Sequence, residues 1–150
     1  MSINPNLALT FTKILAPSVE KPVDFTLYLS AEERTRSRHR WETAEGKTLV
    51  VRLPRGKVTR DGNLLASEAG KVLRIVAKPE PILTVTGTTP LDLLRAAYHL
   101  GNRHVPLEIA PTYLRLSPDP VIESMLVKLG VAVTAEIAPF QPETGAYHQH

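Results

Sequence analysis

Apolar and polar residues alternate in short runs through the first half of the chain, the period-two signature of strands with one buried face. Residues 25–29 make one such run. In residues 48–53 the apolar set is Leu49, Val51 and Leu53, and in residues 71–77 it is Leu73, Ile75 and Ala77. Ser30-Ala31-Glu32-Glu33 has the spacing of a capping box, so a brief helix is expected there: the serine hydroxyl accepts from the backbone and the glutamate reaches back. Asp61-Gly62 marks a tight turn. Short strands joined by tight turns predict a small β-sandwich or barrel.

The period changes after Lys78-Pro79-Glu80-Pro81, where two prolines interrupt hydrogen-bonded structure and mark a linker. Residues 82–85 are an apolar strand. Thr89-Pro90 then opens a helix, with Thr89 as N-cap, Pro90 at the first helical position and Asp92 in the positively polarised first turn. Leu91, Leu94 and Tyr98 recur along it at helical spacing, and Gly101 is its natural stop. Residues 105–109 and 113–116 read as strands separated by Ala110-Pro111. Ser117-Pro118 opens a second helix whose apolar stripe is Val121, Ile122, Met125, Leu126 and Leu129; Gly130 stops it, and residues 131–137 form the last strand. The order β-α-β-β-α-β is the ferredoxin-like split motif. The expected class is α+β: an N-terminal small β domain (residues 1–78), a ferredoxin-like βαββαβ domain (79–138) and a flexible C-terminal tail (139–150).

Composition narrows the chemistry. A length of 150 residues permits two small domains, and 43% hydrophobic content is enough for a buried core. There is no cysteine, which removes disulfides, thiolate metal sites and cysteine nucleophiles and fits a reducing compartment. The first 23 residues lack a basic start followed by an unbroken apolar run, so they do not read as a secretory signal. No stretch approaches the roughly 20 apolar residues of a membrane span, and a soluble cytoplasmic protein is expected. The net charge of +3 is spread among 15 acidic residues, a weaker asymmetry than that of a dedicated nucleic-acid binder.

Without cysteine, the five histidines are the main ligands for borderline metals, and imidazole suits zinc, copper, iron and nickel alike. His104 follows the helix-stopping glycine and precedes a strand; it is either an exposed loop histidine or a metal ligand. His99 flanks the core face of its helix and reads as structural or supporting. His148 and His150 are an i, i+2 pair at the chain end, either an unstructured terminus or a weak metal-binding tract. One loop histidine and a terminal pair cannot close a site alone, but a two-fold dimer with two copies of His104 could, leaving an open and exchangeable shell.

Arg34, Arg36, Arg38 and Arg40 alternate, so in an extended strand all four guanidiniums would share one face. That face is either simply solvated or a docking strip for carboxylates, which arginine grips bidentately. Only Trp41 offers a stacking aromatic beside it, too little for single-stranded nucleic acid. No nucleophile elbow, phosphate-cradling glycine loop or His-Glu-x-x-His motif is present, which argues against an enzyme.

The segment Tyr98-His99-Leu100-Gly101-Asn102-Arg103-His104-Val105-Pro106-Leu107 resembles the signature of the UreE family of urease accessory proteins. Residues 34–41 with Leu53-Pro54-Arg55-Gly56 and Arg60-Asp61-Gly62 resemble that family's N-terminal domain. Met125-Leu126 to Gly130, with residues 138–147, resembles its C-terminal end. The likeness runs over residues 25–150. It implies a β domain for protein docking, a ferredoxin-like metal-binding domain, and a homodimer with nickel at the interface. It further implies His104 as principal ligand, His148 and His150 as additional ligands, and the accessory GTPase and urease assembly complex as partners. Ser117-Pro118-Asp119-Pro120 lacks the histidines some members carry there, and the chain stops at His150 without a polyhistidine tail, so few ions per dimer are expected. Three functions follow. One is a nickel metallochaperone, with zinc able to use the same imidazoles. Another is an interaction module of a maturation complex whose metal binding is incidental. The third is a metal-dependent hydrolase, for which no general base is evident.

Overall fold

The computed structural model describes residues 8–143. The chain divides into two compact units, Met1–Ala77 and Lys78–His150.

The first unit carries β1 (Leu9–Ile14), β2 (Phe25–Leu29), α1 (Ala31–Arg34), β3 (Arg38–Glu42), β4 (Thr48–Arg52), β5 (Leu64–Ser67) and β6 (Val72–Ala77). The strands make one sheet in the order β2-β6-β5-β1-β4-β3. The alternating positions behave as the pattern requires: Leu49 and Val51, Leu73 and Ile75, and Leu27 and Leu29 all face one core together with Phe11, Leu53 and Leu65. The sheet curls enough for Phe11 of β1 to meet Phe25 of β2, three strands away, edge to face with ring centroids 6.3 Å apart. Two pairings are parallel, β1 with β4 and β2 with β6, so tight turns join only some of the paired strands.

Three of its strands, β1, β3 and β5, were not predicted, although β3 falls in the arginine run whose extended form was considered. In β1 the register slips between Phe11 and Lys13, which breaks the alternation after three residues. In β5, adjacent Leu64 and Leu65 hide the period altogether. The capping box at Ser30 is present as read: Glu33 N–H donates to Ser30 Oγ at 3.2 Å and Ser30 N–H to Glu33 Oε1 at 2.9 Å.

The second unit carries β7 (Pro79–Thr86), α2 (Pro90–Asn102), β8 (Glu108–Ile109), β9 (Leu114–Leu116), α3 (Pro120–Leu129) and β10 (Ala132–Pro139). Its four strands are antiparallel throughout, in the order β10-β7-β9-β8, which is the ferredoxin-like topology. Leu83, Val85, Leu114 and Leu116 from the sheet pack with Ala96 and Leu100 of α2 and Ile122 and Leu126 of α3.

Four expectations are corrected here. Lys78-Pro79-Glu80-Pro81 is not a free linker. Pro79 and Pro81 sit inside β7, paired with Pro139 and Ile137; β9 pairs only with Leu83, Thr84 and Val85, so the prolines occupy a stretch of β7 that needs no amide on that side. The second helix starts two residues later than Ser117-Pro118, because Asp119-Pro120 offers the same cap chemistry with a carboxylate: Asp119 Oδ1 accepts from Val121 N–H at 2.9 Å and Ile122 N–H at 3.2 Å. On both helices part of the apolar stripe faces water, not the core: Leu91, Leu94 and Tyr98 on α2 and Val121 on α3 are exposed, with 69% exposure for Tyr98 and 71% for Val121. The first part of the expected tail is held, with Pro139 in β10, Phe140 buried, and Gln141 and Glu143 hydrogen-bonded.

The start of α2 is set by Thr89 and Asp92, which cap each other, with Thr88 and Thr89 N–H both donating to Asp92 Oδ2 at 3.0 Å. Gly87 is needed beside them, since a Cβ there would lie 2.6 Å from the Asp92 Cβ. The far end is held by the burial of Leu100. Truncation to Leu100→Ala should cost about 2–5 kcal/mol of stability, read as a lower midpoint in urea unfolding.

Candidate metal centre

Helix α2 does not stop at Gly101. It continues through Asn102, with Arg103 as its C-cap, and the left-handed residue that reverses the chain is His104, at φ 58°. His104 N–H donates to the Gly101 carbonyl at 3.0 Å and Val105 N–H to the Leu100 carbonyl at 3.1 Å. This pair of bonds is the Schellman arrangement, and Val105 packs beside Leu100 in the core cluster, as that motif favours. Two orphan carbonyls are satisfied and the imidazole is left exposed at the tip of the turn. Among the described residues His104 is the one non-glycine at positive φ. An L-residue pays roughly 1–2 kcal/mol for this conformation, and such strain gathers at functional positions.

His99 lies one turn earlier, half-buried, with its ring 5.3 Å from Tyr98 in an edge-to-face contact. With Arg103 it lines an open groove of about 720 Å³ against Val121, Ser124, Met125 and Lys128 of α3. Among the described residues no three His, Asp or Glu side chains converge, and of the two histidines near this helix end His104 is the exposed one. His148 and His150 lie outside the described residues.

The chain that leads toward them is placed. After Pro139 in β10, at one edge of the sheet, Gln141 N–H donates to Glu108 Oε1 at 2.7 Å and Glu143 N–H to the Leu107 carbonyl at 2.8 Å, at the other edge. Leu107 is three positions from His104. The last described residue is therefore pinned at Leu107.

The arginine strip is interrupted. Arg34 belongs to α1, is buried to 4% exposure and donates from Nε to the Leu29 carbonyl at 3.3 Å. Arg36 donates to both Glu32 carboxylate oxygens at 3.0 Å. Arg38 and Arg40 do share the outer face of β3, as the period requires, and Arg38 stands directly opposite the exposed Arg52 of β4. Like charges opposed across a ladder are destabilising. Among the described residues none of these three makes an ion pair. Arg52 was missed because its strand was read only for its buried face.

Two family models match the chain: the UreE urease accessory protein N-terminal domain over residues 11–78 and the C-terminal domain over residues 80–150. Among similar proteins, two named urease accessory protein UreE come from Nostoc sp. and Nostoc punctiforme. They are 57% and 59% identical over 143 residues, covering 95% of this chain and 97% of each relative. One of the same name from Thermosynechococcus vestitus is 51% identical over 142 residues, covering 94% of this chain and 99% of its own length.

The left-handed turn makes a separable prediction about stability. His104→Gly and His104→Ala both delete the imidazole, but only glycine accepts φ 58° freely. The glycine variant should be the more stable of the two by about 1 kcal/mol, measured by urea unfolding without metal. Equal stabilities would mean the turn relaxes when the histidine is lost.

Proposed function

Because the chain belongs to the UreE family of urease accessory proteins, we propose that it is a nickel metallochaperone for the urease maturation machinery, with the ion held between two copies of the chain. The observation that carries this is His104, an exposed imidazole kept in a left-handed turn where glycine would be unstrained. One imidazole per copy makes half a site, and a two-fold axis supplies the other half. The exposed stripe Leu91, Leu94 and Tyr98 on α2 supports such an interface, since it runs toward the turn that bears His104. The tail can add ligands: Glu143 precedes His148 by five positions, a reach of up to roughly 17 Å, against at most about 10 Å from Leu107 to His104. The protein acts as a carrier in the cytoplasm and not as an enzyme. Zinc accepts the same imidazoles, so delivery to urease, not donor chemistry, singles out nickel.

Calorimetric titration with nickel, with oligomeric state followed in parallel, tests the site. One tight ion per dimer is expected. His104→Ala should abolish it, and a chain ending at Tyr147 should bind more weakly. Affinity should fall on acidification, because protons compete for the ligating nitrogen. Tight binding that survives His104→Ala would place the ion elsewhere.

The exposed face of β3 and β4 is the docking surface for an acidic region of the accessory GTPase or the assembly complex. Arg38, Arg40 and Arg52 are the residues that act there; Arg34 and Arg36 are committed within the unit. Arg38→Glu combined with Arg40→Glu should weaken binding to the GTPase roughly tenfold or more at low salt and flatten its salt dependence, since rim charges act chiefly through steering. Nickel titration should be unchanged. If urease activation instead survived His104→Ala but not this charge reversal, the chain would be an interaction module whose metal binding is incidental.

A further inference from the structure

The curled sheet of the first unit has two edges, β2 and β3. Strand β2 carries no charged residue. Strand β3 is charged at every second position, and its three exposed residues are Arg38, Arg40 and Glu42. The ladder fixes where their backbone points. Thr43 N–H donates to the Lys47 carbonyl and Leu53 N–H to the Ser37 carbonyl, both at 2.8 Å, so the odd-numbered residues of this segment pair with β4. Antiparallel bonding alternates along a strand, and Arg38, Arg40 and Glu42 stand opposite Arg52, Val50 and Thr48 at the even positions. Their amides and carbonyls therefore point out of the sheet. Among the described residues no strand lies on that side. The same three residues thus offer open main-chain donors and acceptors and a row of charges.

An edge of this kind is a template for one more strand. An added strand would set a side chain directly opposite each of the three, on the same face and close enough to pair. The row runs plus, plus, minus, so complementarity fixes a register as well as a sign. Guarding the edge against mispairing needs charge only on the edge strand itself. It does not call for Arg52 on the neighbouring strand, opposite Arg38, where like charges cost stability. A nucleic acid would bring phosphates but nothing in register for the outward amides, and Trp41 is half-buried against the core on the other face.

We propose that β3 takes its acidic partner by strand addition: an extended peptide segment joins the sheet at β3, with acidic residues opposite Arg38 and Arg40 and a basic residue opposite Glu42. Added antiparallel, that segment runs basic-x-acidic-x-acidic from its N-terminal end. Main-chain bonds give the affinity and the alternate side chains the specificity. The proposal rests on the reading of the exposed β3 and β4 face as a docking surface.

The test uses the full chain and a labelled synthetic peptide, lysine-threonine-glutamate-valine-glutamate flanked by threonines, with binding followed by anisotropy. A peptide of the same composition with its two glutamates adjacent should bind more weakly, and so should one N-methylated at its pairing amides, each by roughly tenfold. Glu42→Pro removes an outward N–H without taking an amide from the β3–β4 ladder and keeps every arginine. It should bind the peptide roughly tenfold more weakly than Glu42→Gln, which loses the charge alone. Hydrogen exchange reads the geometry directly: bound peptide should slow the amides of Arg38, Arg40 and Glu42 and leave those of His39 and Trp41, already paired, nearly unchanged. Peptide binding lost on charge reversal at Arg38 and Arg40 but indifferent to N-methylation and to glutamate spacing would overturn strand addition and leave the docking face standing. No protection of the three outward amides would overturn it as well. If the same charge reversal left GTPase binding intact, the docking reading would fail and the proposal with it.

Discussion

A helix that ends by reversing its chain needs one residue in the left-handed region. In α2 that residue is His104 and not the glycine three positions earlier. Much follows from this. The two bonds that close the turn satisfy the carbonyls of Leu100 and Gly101, so the helix end asks nothing of a ligand. Val105 is drawn into the core against Leu100, which fixes the direction of the chain into Leu107 and β8. The imidazole is left exposed, on a backbone fixed by two hydrogen bonds.

The same turn explains why the ferredoxin-like unit is informative about function where the curled sheet of the first unit is less so. In the first unit the buried faces of six strands account for nearly all of the apolar pattern. In the second, α2 and α3 keep apolar residues that the core does not use. Leu94 is 66% exposed and Tyr98 69%, on the face of α2 opposite Ala96 and Leu100. A monomer gains nothing from such a stripe and risks association.

How much of this was legible in the sequence depended on whether local chemistry had a competitor. Thr89-Pro90 had none, and the helix begins there. Gly101 had one: its freedom to take positive φ was read as a stop, but a helix ends where both closing bonds and an apolar partner are available, and Val105 supplies the partner only if the turn falls at His104. Ser117-Pro118 lost to Asp119-Pro120 for the same kind of reason, since a carboxylate caps two amides at once. The alternation of Arg34, Arg36, Arg38 and Arg40 was true of β3 and false of α1, because Ser30 had already committed Arg34 to a helical turn. Leu91 and Tyr98 were legible as one face of a helix, but periodicity does not say which face meets the core; the smaller Ala96 does, where the helix lies close to the sheet. The bonds that hold residues 141–143 could not be read at all, because Glu108 and Gln141 stand 33 positions apart.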